Sequence, residues 1–187
     1  FPKGNAQEKV ETSLIQIIVR HGEQAVKEIP IGNGTIQTIT VIEYVQAEFA
    51  TNHLGFSHDD YRQLWQLALE HANEDGFVAQ DFFSRLQDAR LGQIAVQMIS
   101  DNYLLSEAFG ETLGVQGWEK RLPKVVPVLI AKLKLGIVED KIRTLKERMK
   151  HGAADEINSL MEEFLRLTKL KQELSRLCNE TNISLKP

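Results

Sequence analysis

Two histidines and two aspartates lie close together in the first half of the chain. The stretch "HLGFSHDD" holds His53, His58, Asp59 and Asp60, residue types that can ligate a metal or act as an acid and a base. However, the stretch spans a predicted helix start, and histidines at i and i+5 do not share a helical face. Adjacent helical residues point about 100° apart, so Asp59 and Asp60 are not aimed at one substrate. The pattern favours a capped helix start over a metal or catalytic site.

Other reactive residues lack the spacing that their chemistry requires. "GNG" at Gly32–Gly34 has neither the lysine nor the flanking strand of a phosphate-binding loop, and no G-x-S-x-G occurs. Cys178 is the only cysteine, so no internal disulfide and no Cys/His zinc spacing is possible. We therefore predict no catalytic, cofactor-binding or metal-binding residue. A single cysteine also fits a reducing compartment, and we predict a cytoplasmic location.

The composition is that of an ordinary globular protein. The chain has 187 residues, of which 42% are hydrophobic and 26% charged, enough for one domain or two small ones. No apolar run approaches the roughly 20 residues of a membrane span, so no membrane association is predicted. Because the chain begins with Phe1 and not Met, we expect a piece of a larger protein or a processed one.

Charge is distributed unevenly along the chain. The formal net charge is −4, but residues 1–117 hold 7 Lys+Arg against 16 Asp+Glu, net −9, and residues 118–187 hold 15 against 10, net +5. This asymmetry suggests two units with different surfaces. The most basic part, Lys120–Lys150, could contact phosphate backbones, but it has almost no aromatic residues on which bases could stack. The acidic total argues against nucleic acid as the main partner.

Helical periodicity predicts short helices before residue 118. A first helix ends at Gly22, and T-x-x-E at Thr40–Glu43 is a capping box that starts another. Ser57 is the predicted N-cap of the next helix, and two more helices are predicted over 79–88 and 91–100. Ile29–Thr38 is rich in glycine and reads as a loop, with a short hairpin as a weaker alternative. Gly110–Trp118 is the predicted joint between the units.

After the joint, the pattern changes to two long helices. The first is predicted to begin at Pro123 and to carry a heptad seam of Val128, Ala131, Leu135, Val138, Ile142, Leu145 and Met149. Gly152 ends it, and a second apolar stripe follows at Ile157, Leu160, Phe164, Leu167, Leu170, Leu174 and Leu177. We therefore predict an all-α fold, with a helical bundle over 1–118 and a long linking helix with a C-terminal helical hairpin over 119–187.

The order of these segments resembles a known family. The segments "VETSLIQIIVRHGEQ", "TITVIEYVQAEF", "HDDYRQLWQLALEH", two short helices, "LPKVVPVLIAKLKLGIVEDKIRTLKERM" and a leucine-rich final helix are similar to the C-terminal domain of bacterial DNA primase, of the Bacteroidetes type. The resemblance implies a non-catalytic domain that binds the hexameric replicative DNA helicase, recruits primase to the replication fork and modulates the helicase. It also implies a fold like the helicase's own N-terminal domain, and possible contact with the tail of the single-strand-binding protein.

The docking residues of that family vary, so they are predicted here from physical properties. If one stripe of the last helix closes the hairpin, the remaining apolar residues and their charged neighbours are left for a partner. These residues are Met161, Leu165, Arg166, Lys169, Leu170, Arg176, Leu177, Ile183 and Leu185. Two other functions stay open: a basic helical module that binds nucleic acid through Lys120–Lys150, and a helical homodimer built on the heptads.

Overall fold

Seven α-helices and one two-stranded sheet make up the part of the chain that the structure describes. The structure is a computed structural model and describes residues 6–101, 117–151 and 154–183. The elements are α1 (Ala6–His21), β1 (Ala25–Pro30), β2 (Ile36–Thr40), α2 (Val41–Asn52), α3 (Asp59–His71), α4 (Ala79–Ser84), α5 (Ala89–Ser100), α6 (Trp118–His151) and α7 (Ala154–Ile183). The all-α prediction is confirmed, with the short sheet as an addition. None of the described helices is both long and apolar enough to cross a membrane.

The chain divides into two compact units, Phe1–Leu129 and Ile130–Pro187. The division falls inside α6, later than the predicted boundary between residues 118 and 119. The first turns of α6 belong to the first unit, where Leu122, Val125 and Val126 are buried. The glycine-rich joint lies mostly outside the described residues, as does the helix stop predicted at Gly152.

Helix α1 is the centre of the first unit. It packs against α2, α3, α4 and α5, and every residue from Glu11 to Val19 is buried. The predicted apolar stripe covers only part of this surface, because the polar residues of α1 are buried as well. Several of their hydrogen-bonding groups find partners: the Thr12 hydroxyl lies 2.9 Å from the Tyr61 hydroxyl, and Gln16 Nε2 donates to the Met98 carbonyl at 2.9 Å. Burial of these groups is tolerated because they are hydrogen-bonded.

The segment predicted as a loop over Ile29–Thr38 is largely a β-hairpin. Strands β1 and β2 pair antiparallel, with Ile29 opposite Gln37 and Pro30 opposite Ile36. The turn takes positive φ at Gly32, Asn33 and Gly34, which glycine and asparagine adopt readily. Most of the hairpin is exposed, so no alternation of apolar and polar residues marks it in the sequence. The weaker of the two sequence interpretations is therefore the correct one.

The helix starts confirm one predicted cap and correct another. Thr40 and Glu43 form the capping box: the Thr40 backbone N–H donates to Glu43 Oε2 at 2.7 Å, and the Glu43 N–H donates to Thr40 Oγ1 at 3.3 Å. The N-cap of α3 is His58, whose Nδ1 accepts from the Asp60 N–H. Ser57 instead donates its backbone N–H and its hydroxyl to the buried Glu11 carboxylate, at 2.8 and 2.9 Å.

Three helix boundaries differ from prediction. Helix α4 ends at Ser84 and not at residue 88, and α5 begins at Ala89 and not at 91, with Asp88 accepting from the Leu91 N–H at 2.8 Å. Helix α6 begins at Trp118, so Pro123 and Pro127 lie inside it. The earlier start places Trp118 against α1, where its ring stacks on His21 with centroids 5.1 Å apart.

Candidate docking surface on the second helical unit

The second unit is an antiparallel pair of helices closed by its own apolar seam. Glu139 on α6 pairs with Lys171 on α7 at 2.9 Å, and Lys146 lies over the Phe164 ring at 5.7 Å from the centroid. The residue numbers of the contacting positions therefore rise along α6 as they fall along α7. The two helices are antiparallel, which is the arrangement predicted for a helical hairpin. The buried cluster contains Ala131, Val138, Ile142, Leu145, Leu160, Leu167, Leu174 and Cys178, with Leu135, Met149 and Phe164 packed against it.

The seam on α7 follows a stricter heptad than the predicted stripe. Leu160, Leu167 and Leu174 repeat every seven residues and are buried. Leu170 and Leu177, which the stripe also includes, come three residues after a seam leucine and are exposed. Four residues after the seam leucines, the structure places Phe164, Lys171 and Cys178 towards α6 instead. Counting sevens from Phe164 would have found both positions, but a search for apolar residues passes over Lys171.

Four predicted docking residues are large apolar side chains left in solvent. Their exposed fractions are 42% for Met161, 60% for Leu165, 41% for Leu170 and 49% for Leu177. The charged members of the predicted set are exposed too: Arg166, Lys169 and Arg176. Ile183 is the last residue of α7, where only the backbone is described, and Leu185 lies outside the described residues.

These exposed side chains lie on two flanks of α7 and not on one face. At about 100° per residue, Met161 and Leu165 lie roughly 100–140° from the seam on one side. Leu170 and Leu177 lie about 80–100° from the seam on the other side. We call the pair Met161 and Leu165 the proximal flank, and the pair Leu170 and Leu177 the distal flank. A single partner helix that packs along α7 covers one flank only. The docking residues predicted from the sequence therefore form two separate surfaces and not one.

The basic run on α6 is partly neutralised by its own acidic residues. Arg143 pairs with Asp140 at 2.6 Å and Lys150 with Glu147 at 2.7 Å, each one turn away along the exposed helix. Lys146 lies over the Phe164 ring. These contacts reduce the number of basic groups available to phosphates on this stretch, which weakens the case for a nucleic-acid interface.

The first candidate for chemistry, the His53–Asp60 stretch, is used for local structure. His53 is the left-handed C-cap of α2, with φ of 52°. Asp59 pairs with Arg62 within α3, and Asp60 pairs with Arg90 on α5. Across the described residues, no group of three or more His, Cys, Asp or Glu side chains is arranged to hold a metal.

The fold and this surface define an all-α protein of two compact units whose last helix exposes apolar side chains. The family model described as "Domain of unknown function (DUF8430)" matches residues 2–181, so the chain belongs to that family. No curated protein and no solved structure matches the chain. The likeness to the primase C-terminal domain, and to the helicase N-terminal domain in fold, therefore stays a prediction from the sequence.

Proposed function

We propose that this chain is a non-catalytic interaction domain that binds the N-terminal domain of a hexameric replicative helicase through α7. The observation that carries the proposal is the separation of two apolar sets on this helix. Leu160, Leu167 and Leu174 close the hairpin, and Leu170 and Leu177 stay in solvent although the seam is already complete. Exposed leucines beside basic side chains are typical of a surface that another protein covers.

The finer role follows from the resemblance in the sequence. In that role the chain is the cytoplasmic C-terminal part of a DNA primase, brings primase to the replication fork and modulates the helicase. It synthesises no primer itself and needs no cofactor. The tail of the single-strand-binding protein is a second possible partner, with the exposed arginines and lysines of α7 as the groups that would attract an acidic peptide.

The proposal is tested by titrating the chain with the N-terminal domain of the replicative helicase from the same organism, with calorimetric detection. We expect micromolar binding. Leu177→Asp should weaken it by at least about tenfold, because the leucine loses its burial and a carboxylate is desolvated in its place. Ile31→Asp is the matched control: Ile31 is 59% exposed, lies on the hairpin of the first unit and should leave the affinity unchanged.

A second variant shows which flank is used. Leu165→Asp places the same charge on the proximal flank, and a loss of affinity for only one of the two variants assigns the partner to that flank. Circular dichroism of both variants checks that the helices remain. Absence of binding at high micromolar concentration, or unchanged affinity in both flank variants, would reject the proposal.

A further inference from the structure

The first unit contains a groove with apolar and acidic lining. It has a volume of about 900 Å³ and is bordered by the end of α3, the loop to α4, α4 itself and the start of α5. Phe77, Phe82 and Leu91 supply apolar surface, and the neighbouring Val78 is 42% exposed. The groove is therefore open to solvent and large enough to take side chains of another molecule.

Acidic side chains outnumber basic ones around the groove. Glu74, Asp75, Asp81 and Asp88 line it, against the single guanidinium of Arg85. Two of these carboxylates are engaged: Glu74 lies 2.7 Å from His71 Nδ1, and Asp88 caps α5.

Asp75 and Asp81 form no ion pair with any residue that the structure describes, so their charges remain available. The negative end of the α3 dipole lies at His71, on the same groove, and adds to the attraction for a cation. The surrounding part of the chain, residues 1–117, has a net charge of −9, which extends the negative potential beyond the groove.

Aromatic rings lie among these charges. The Phe82 ring is 4.4 Å from the His71 ring and 5.6 Å from the Phe77 ring, measured between centroids. Phe77 and Phe82 are only partly buried, so each retains surface towards solvent. A lysine or arginine is attracted both by carboxylates and by the faces of aromatic rings, whereas an anionic ligand is repelled by the carboxylates.

We propose that this groove binds a segment of a partner protein that carries basic and apolar side chains. A lysine or arginine of the segment lies beside Asp75 and Asp81, and an apolar side chain packs on Phe77 and Phe82. The charge of the lining selects this occupant over a nucleic-acid backbone or an acidic peptide. The groove is on the first unit and the proposed helicase surface is on α7, so either site can fail without the other.

The test uses the full chain and a short fluorescein-labelled peptide of alternating lysine and leucine. A second peptide has glutamate at every lysine position. Binding is followed by fluorescence anisotropy at low and at physiological salt, and two-dimensional NMR of the isotope-labelled chain locates the perturbed amides. We expect the lysine peptide alone to bind, with shifts concentrated over residues 71–91 and weaker binding at the higher salt.

A pair of charge-matched variants separates the groove from the general acidity of the first unit. Asp75→Asn with Asp81→Asn removes two charges at the groove, and Glu28→Gln with Asp59→Asn removes two exposed charges elsewhere. The groove variant should bind the lysine peptide about fivefold or more weakly, and the matched variant within about twofold of wild type. Equal loss in both variants, equal binding of the two peptides, or no binding at all overturns the proposal. The proposal is also overturned if the chain self-associates and the groove variant abolishes this self-association, because the occupant of the groove would then be a second copy.

Discussion

His21 is a buried titratable side chain that should make the stability of the first unit depend on pH. Its ring stacks on Trp118, and its Nδ1 lies 3.0 Å from the Gln24 side-chain amide. Burial, with a smaller contribution from the charge of Arg20, lowers the pKa of His21 from 6.5 to about 4. The imidazole is therefore neutral in the folded protein at neutral pH.

At the residue scale, we predict a loss of stability as the pH falls from about 6.5 to about 4. The unfolded chain protonates His21 near 6.5 and the folded chain only near 4, so between these values protons favour the unfolded state. Through His21 alone, the free energy of unfolding should fall by up to about 3 kcal/mol across this window. Below pH about 4, His21 is protonated in both states and contributes no further loss.

Urea unfolding followed by tryptophan fluorescence measures this effect, because both tryptophans, Trp65 and Trp118, belong to the first unit. His21→Phe keeps a ring against Trp118 but does not titrate, so it reports what the carboxyl groups contribute to the same window. Parallel pH profiles for the wild type and this variant would contradict the assignment.

Helix α7 carries two separate sets of apolar residues. Its seam side is buried against α6, and its flanks are exposed apolar surface. Cys178 lies at the end of the seam, and burial raises the pKa of its thiol despite the opposing charge of Lys132. As the only cysteine, it reports directly on whether the seam is open.

At the element scale, we predict that Cys178 reacts slowly with a thiol reagent and that Leu167→Ala accelerates the reaction. Removing a buried leucine side chain costs about 2–5 kcal/mol, so the open state and the reaction rate should rise at least about twentyfold. Leu165→Ala is the matched control, because the same truncation at an exposed position should leave the rate close to wild type. Equal rates in the two variants would show that the seam does not protect the thiol.

The chain as a whole joins an acidic segment to a basic one through one long helix. Helix α6 contributes its first turns, up to Leu129, to the first unit and its heptads from Ala131 onward to the second. These heptads are occupied by α7 of the same chain, which removes the main reason for expecting pairing in trans.

At the scale of the whole molecule, we therefore predict a monomer. Light scattering should give the mass of one chain over the concentration range used in the binding titrations. Among the described residues of the second unit, the exposed flanks of α7 are apolar surface through which it could pair, so Leu177→Asp serves as the check. If the chain is a dimer and this variant dissociates it, the partner of the distal flank is a second copy of the chain and not a helicase.

The sequence by itself determined the features that depend on near neighbours. The capping box at Thr40 and the heptad of α6 were predictable because each rests on residues within a few turns of one another. The seam of α7 was predictable in part: Leu160, Leu167 and Leu174 were identified, and Lys171 was passed over because it is not apolar.

Tertiary structure decided what depends on residues far apart in the chain. Ser57 donates to the Glu11 carboxylate and does not take the capping role that its position suggests. The packing of several helices around α1 buries polar residues that no periodicity marks. The apolar residues of α7 likewise divide into seam and flanks only once α6 lies along one side of the helix. A local pattern predicts which apolar residues share a face of a helix. Only the neighbouring helix that packs against it decides which of those faces is buried.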